Sequence, residues 1–329
     1  MKNFWQKIKP SAGGPILALA PMAGITDSAF RQMCLKYGAD VVYTEMVSAD
    51  GLFYDSKKTL EFLKFAKKEH PVVVQLFGKY PQRFTKAAQL CESAGFDGID
   101  INFGCPAKKV AGHGGGVMLM RDLPKSREII EAVLTGTKLP VSIKLRTSIK
   151  KTAGSKENIT ALDLIDYVKD LPISAVMIHG RSYEQLFCGE IDYEMIKKCV
   201  KELKKQNSKI IVLGNGGINT PEDAKIMIEK AKVDGVGVAR GIYGKPWIFE
   251  QIKDYLTKGS YKNFSNKKII KVAVEHAKAV SRSKGDYGLV ELRKHLLWYV
   301  SGWHNAKVLR SKLVKIKSVS EVGSALTSD

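Results

Sequence analysis

The sequence predicts an α/β fold: a (β/α)8, or TIM, barrel followed by a small all-helical domain. Three observations lead there. Eight short apolar, β-rich runs recur over residues 15–241, helical patterns separate them, and the strand pattern stops after Trp247. The runs are continuous rather than alternating, which suits strands buried on both faces of a parallel sheet. Eight such strands alternating with helices point to a closed barrel. An open doubly wound sheet is the competing arrangement. With 329 residues, 44% of them hydrophobic, the chain can bury one large core and a smaller one.

The first four strands are read from PILALA (15–20), VVYTEM (41–46), VVVQLFG (72–78) and GIDINFG (98–104). The next four are VSIKLR (141–146), AVMIHG (175–180), IIVLGNGG (210–217) and GVGVARG (235–241). Between the third and fourth, Pro81 opens a helix whose Phe84, Ala87, Ala88, Cys91 and Ala94 share a face, and Gly95 closes it. Between the seventh and eighth, Thr220 is placed as an N-cap before Pro221 and first-turn acids. Ala224, Met227, Ile228 and Ala231 form that helix's apolar face.

The expected division is a barrel over 1–249 and a basic helical domain over 250–329. The second segment holds 16 Lys/Arg against 7 Asp/Glu, a net of +9. Its last dozen residues, SVSEVGSALTSD, are small and polar and are expected to fray. The whole chain carries +20 and a pI of about 9.6. Such an excess favours a polyanion, nucleic acid or an anionic membrane surface, over a purely small-molecule role. Simple solubility and lysine-rich proteome bias are the bland readings.

Five cysteines stand singly with no C-x-x-C, so neither a disulfide framework nor a structural zinc site is indicated. That argues for a reducing compartment. The amino terminus has the lysines and short apolar run of a weak signal peptide. However, the run ends in Pro-Met-Ala-Gly and reads as strand plus loop. No stretch approaches the ~20 apolar residues of a membrane span. The expected location is the cytoplasm, with no membrane and no obligate protein partner.

Barrel enzymes place their chemistry where the strands end. The first strand exits into Pro21, Met22 and Ala23, the third carries Gln75, and the fourth leads through Asn102 to Cys105. The fifth offers Lys144 and Arg146, and the sixth His179 and Arg181. The seventh exits into Asn215, Gly216 and Gly217, and the eighth into Ala239 and Arg240. Glycines after the last two strands allow backbone N–H groups to approach a phosphate, with Arg240 as a charged partner; tight turns are the simpler role for those glycines. Gln75 facing the imide edge of a flat ring and Lys144 stabilising its reduced form together describe flavin mononucleotide, FMN.

Cys34, Cys91 and Cys199 read as small buried hydrophobes. Cys105 differs, because it sits on a strand exit among lysines and glycines. Nucleophile, metal ligand and proton donor are all open to such a thiol. No Cys/His cluster supports a metal. Beside a hydride donor, proton donation is the economical role, since reducing a C=C bond needs a hydride on one carbon and a proton on the other.

The stretches APMAGITDSAFR, DINFGCPAKKVAGHGGGVMLMRD, IHGR, GNGGI and VARGIYGKPWIF closely resemble the dihydrouridine synthases, specifically the bacterial B-type branch. LRKHLLWYVSG and AKVLRSKL resemble that family's helical RNA-binding domain more weakly. The resemblance implies an FMN enzyme that reduces the C5=C6 bond of uridine in RNA, with NADPH reducing the flavin and Cys105 protonating C5. It implies that Pro21, Met22, Ala23, Gln75, Lys144, His179, Asn215, Gly216, Gly217, Ala239 and Arg240 hold the flavin, and that Asn102 helps place the uracil. Lys109, Arg146 and Arg181 are then substrate contacts. Transfer RNA is the expected substrate and ribosomal RNA the alternative.

Two departures stand out. NGGI replaces the frequent N-G-D, and VMLM replaces a run of small residues. A dihydroorotate dehydrogenase-like FMN barrel is a competing enzyme, though it has no need of the basic tail. A non-catalytic RNA-binding protein is the competing class, and the intact set Gln75, Cys105, Lys144 and Arg240 opposes it.

Overall fold

The computed structural model describes residues 3–8 and 14–327. Ten strands occur in chain order. They are β1 (Ile16–Leu19), β2 (Val41–Ser48), β3 (Val72–Phe77), β4 (Gly98–Phe103), β5 (Val141–Arg146), β6 (Ser148–Lys150), β7 (Asn158–Thr160), β8 (Ala175–His179), β9 (Ile211–Asn215) and β10 (Gly235–Val238). Eight close into a barrel in the order β1-β10-β9-β8-β5-β4-β3-β2. All of those pairings are parallel, including the β1–β10 seam that closes the ring. An open doubly wound sheet is therefore excluded. Seven of the eight lie within an apolar run read from the sequence, and β2 runs two residues past its run, to Ser48.

Side chains divide the barrel wall by alternation. Leu17 and Leu19 of β1 pack outward against the helices, while Ile16 and Ala18 belong to a separate interior cluster. That cluster adds Val41, Tyr43, Val73, Ala175, Met177 and Leu213. Trp5, on the short helix Phe4–Lys7, joins it and is only 1% exposed. Phe4 reaches the start of β4, where a Cβ on Gly98 would stand 2.9 Å from its ring. The amino-terminal helix thus stoppers the barrel at the end where its strands begin. Close packing inside also needs glycine at 237, where a Cβ would lie 2.7 Å from the Met177 sulfur.

The helices follow from local signals. Pro81 starts the helix Pro81–Ser93, whose buried residues are Phe84, Ala87, Ala88 and Cys91. Thr220 caps Pro221–Ala231 in a capping box with Asp223. The sequence reading missed the antiparallel β6–β7 hairpin. Its three-residue strands carry polar and charged residues and have no apolar run to reveal them.

After β10 come helices Ile248–Lys258, Asn266–Lys284, Tyr287–Tyr299, Ala306–Leu313 and Val319–Thr327. The expected boundary at 249/250 falls inside the first of them. Ile248, Phe249 and Ile252 belong to the barrel's main core. The later helices form a second core with Ala29 and Met33 of the barrel helix Ser28–Lys36 and its capping residue Tyr37. Lys284 bridges Asp27 and Glu291 at 2.8 and 2.7 Å, and Lys36 pairs with Glu275. The tail expected to fray instead forms Val319–Thr327, with Val322 and Leu326 buried in the second core. Apolar residues four apart suffice to pin a short helix against a neighbour. The last two residues of that stretch lie outside the described residues. No described helix is long and apolar enough to cross a membrane.

Candidate active site

A cavity of about 820 Å³ opens where the strands end. Its walls bring together Pro21, Met22 and Ala23, Gln75, Asn102 and Cys105, Lys144 and Arg146, His179 and Arg181, Asn215, Gly216 and Gly217, and Ala239 and Arg240. Lys109 is the exception. It is exposed on the short helix Lys108–Ala111, and its neighbour Lys108 lines the cavity in its place. One residue of helical rotation separates the two, and spacing alone does not show which points inward.

The floor is a chain of hydrogen bonds. Ser142 Oγ donates to Asp100 Oδ1 at 2.7 Å, and Gln75 Nε2 donates to Asp100 Oδ2 at 2.6 Å. Asn102 Nδ2 donates to Gln75 Oε1 at 2.8 Å. Asn102 Oδ1 then accepts the backbone N–H of Cys105 at 2.8 Å and of Gly104 at 3.1 Å. Asn102 thus ties the thiol-bearing loop to the barrel interior. Gln75 keeps one N–H and one lone pair for a ligand.

Charges in this low-dielectric floor perturb one another. Burial lifts the Asp100 carboxyl to about 6, against the pull of Gln75, Ser142 and Lys144. Burial and then Arg146 lower Lys144 to about 8, opposed by Asp100 and Cys105. Lys144 is therefore charged at neutral pH but close to losing its proton. Burial, then Lys144 and three arginines, push His179 down to about 2, so its ring is neutral. Burial raises the half-buried Cys105 thiol, outweighing the Ala107 N–H and the cations Lys144 and Arg146. It stays protonated at neutral pH, as a proton donor must.

Arg146 braces two loops. Its Nε donates to Gly104 O at 2.9 Å, and its Nη1 to Ser182 O and Leu186 O, both at 2.7 Å. Gly116 closes the loop from the other side, with φ +59 and no room for a side chain: a Cβ there would sit 2.8 Å from Cys105 O. The cavity's other end gathers glycines and arginines. Gly216 has φ +98, and a Cβ there would run into the His179 ring. Arg181 Nε donates to Gly189 O at 2.9 Å, while its buried Nη1 has no partner among the described residues. Arg240 Nη2 reaches Phe187 O at 3.1 Å, with its guanidinium 4.7 Å from the Phe187 ring. An orphaned guanidinium N–H beside close-approach glycines is what a phosphate ester would satisfy.

These residues fit a flavin nucleotide. A spare amide edge and a half-buried lysine would suit the ring, and glycines and arginines would suit the phosphate. Among the described residues no three His, Cys, Asp or Glu side chains gather as metal ligands.

The sequence reading passed over Asp100 and Ser142. Each precedes a chosen residue by two positions on its own strand, Asn102 and Lys144, so period-2 alternation was the available signal. It also missed Tyr183, Leu186 and Phe187, which line the cavity from the loop after β8. The adjacent apolar pair Leu186-Phe187, 47% and 48% exposed, was the clue there.

Known proteins match this chain along nearly its full length. The family model for dihydrouridine synthases covers residues 18–329. A tRNA-dihydrouridine synthase B of Shewanella oneidensis is 34% identical over 286 residues, 86% of each chain. A Pseudomonas aeruginosa protein of the same name is 34% identical over 92% of this chain and 88% of its own. A probable tRNA-dihydrouridine synthase of Rickettsia bellii is 35% identical over 89% and 88%. Among solved structures, a 2-naphthoyl-CoA reductase complex superposes with a TM-score of 0.53 at 12% identity, over 74% of this chain and half of that one. That likeness supports the barrel fold alone. With a matching model over almost the whole length and relatives above 30% identity, the chain belongs to the dihydrouridine synthase family, flavin-dependent enzymes that reduce uridine in RNA.

Proposed function

We propose that this protein reduces the C5=C6 bond of uridine in transfer RNA, with FMN in the barrel mouth and NADPH as the reductant. One observation carries the reading. A single cavity gathers a protonated thiol, a half-buried lysine that is charged at neutral pH, and a rim of glycines and arginines.

Bound FMN would supply the hydride that the alkene accepts at C6. Gln75 and Lys144 would contact its ring, and Pro21, Met22, Ala23, His179, Asn215 and Ala239 would line it. Gly216, Gly217 and Arg240 would take its phosphate, with Arg181 sharing that anion or the RNA. The residues of the chain do the rest. Asn102 fixes the Cys105 loop, and its amide borders the place of the uracil. Cys105 Sγ gives its proton to C5, and the resulting thiolate is stabilised by Lys144 and Arg146 until solvent reprotonates it. Lys108 or Lys109, at the rim, meets the RNA backbone.

A uridine inside folded RNA must be unstacked to reach this cavity, at a cost of a few kcal/mol. The basic region 250–329, with its net +9, is proposed as the RNA-binding domain that offsets this cost. Affinity should then fall steeply as salt rises through counterion release. A flat salt dependence would remove that role. Free cysteines and an RNA substrate support the cytoplasm as the location.

The test incubates the purified protein with NADPH and RNA lacking dihydrouridine, with transfer and ribosomal fractions separate. Mass spectrometry then looks for a two-hydrogen gain on uridine. A gain in the transfer fraction is expected. A gain only in the ribosomal fraction overturns the substrate. No gain in either, with flavin that NADPH still bleaches, points to a small pyrimidine as substrate.

A further inference from the structure

A second cavity, of about 430 Å³, lies beside the first, and the two share Asn219 and Tyr243 in their walls. Segments following β9 and β10 form one side of it. Residues of the helical region, at the end of Tyr287–Tyr299 and just beyond, form the other. Since β9 and β10 end on the catalytic rim, this crevice opens there too.

Its walls are flat rings. Trp247 and Phe264 stack with centroids 4.5 Å apart and planes 11° from parallel. Tyr243 and Trp298 stack across the barrel–helix junction at 3.9 Å and 1°. Trp303 also lines the space, half-buried, and has no ring partner among the described residues. Asn219, Asn263 and the exposed Ser301 also line it, with their amides and hydroxyl. No carboxylate lines the crevice, and Lys245 does. Rings with amide and hydroxyl edges, no negative charge and one cation match a nucleobase on its sugar-phosphate chain.

We infer that this crevice takes a second nucleobase of the RNA substrate, adjacent to the uridine held in the catalytic cavity. The inference rests on the reaction proposed above for its substrate. The shared wall of Asn219 and Tyr243 puts the two bases within reach of neighbouring nucleotides on one strand. The enzyme then selects its uridine by the base beside it as well as by the uracil itself.

The experiment is a double-mutant cycle on full-length protein. Transfer RNA transcripts carry an abasic residue at each position flanking the modified uridine in turn, and Kd is measured alongside kcat and KM. For the unaltered protein, one abasic position should weaken binding about tenfold, as loss of one base–aromatic stack does. Trp303→Ala should show the same loss on intact RNA and none further on that abasic RNA. Trp303→Phe should restore binding, and kcat and the KM for NADPH should not move. If Trp303→Ala fails to fold, Ser301→Trp fills the crevice from an exposed position and should give the same pattern.

Losses that add rather than overlap would overturn the inference, as would the absence of any sensitive position. A change in the KM for NADPH alone would assign the crevice to the adenine of the dinucleotide instead. Because the cycle is read in Kd, it is decided even if no dihydrouridine forms. That outcome would sink the proposed reaction and leave the base pocket standing.

Discussion

The two ends of this barrel are made of the same strands and solve opposite problems. Where the strands begin, Ile16, Val41, Val73, Ala175 and Leu213 point inward with Trp5 set among them, and aliphatic side chains dominate. Where they end, the inward positions are Gln75, Asn102, Lys144, His179 and Asn215, and hydrogen bonds link Gln75 to Asp100 and Asn102 and tie Asn215 to the Gly237 carbonyl. Asp100 and Ser142 sit between the two layers and anchor the polar one. An apolar interior tolerates exchange of one aliphatic side chain for another of similar volume. A buried polar network works only when fully satisfied. The contrast separates stability from chemistry within a single tube of strands.

The largest effect should come from the mouth. Cys105→Ala removes the proposed proton donor without touching the proposed flavin cradle. RNA reduction should fall by about 10²–10⁴, the usual worth of a general acid. Bound flavin and NADPH oxidation should persist, as read by absorbance. Full activity would place the proton elsewhere.

The matching lesion at the closed end is Trp5→Ala. It should cost about 3–5 kcal/mol of stability, as large buried aromatics do, measured by urea unfolding. Flavin content at low temperature should stay unchanged. Loss of flavin without loss of stability would break the division between the ends.

Acidity sharpens the contrast. Burial lowers the Lys144 ammonium to about 8, so its charge is present below that pH and lost above it. Flavin affinity of the stripped protein should weaken about tenfold from pH 7 to 9, the order of a charge-assisted hydrogen bond. In Lys144→Met it should be weak and flat over that range, as fluorescence titration would show. The smallest effect should come from Asp100→Asn. It keeps an acceptor for Gln75 but removes the charge that holds the amide. Flavin Kd should rise by roughly fivefold, near 1 kcal/mol.

Legibility in the sequence followed the same division. Eight strands could be read because parallel barrel strands are apolar on both faces. The helix at Thr220 could be read because its cap, proline and first-turn acids agree. Residues at strand exits could be found because position in a barrel implies role. What escaped had no local signature. The β6–β7 hairpin is too short and polar to show a period. Val319–Thr327 looks like a loose tail, since only Val322 and Leu326 reveal its face and their partners lie on a distant helix. Arg146 reads as a substrate contact because it is cationic and at the rim. In three dimensions, three of its hydrogen bonds go to backbone carbonyls of two loops. Which lysine of Lys108-Lys109 turns inward depends on where a four-residue helix begins.

The β6–β7 hairpin has a consequence in time rather than space. The hydrogen-bonded floor with its thiol and lysine, Gln75, Asp100, Asn102, Cys105, Ser142 and Lys144, all precedes it in the chain. The groups proposed for the phosphate, Arg181, Gly216, Gly217 and Arg240, all follow it. Its turn at Gly154 has open space around it. During synthesis one half of the chemistry is therefore complete as polypeptide before any of the other half exists. A ribosome paused at this turn would hold a nascent chain carrying the thiol and its floor but not Arg181, Gly216, Gly217 or Arg240.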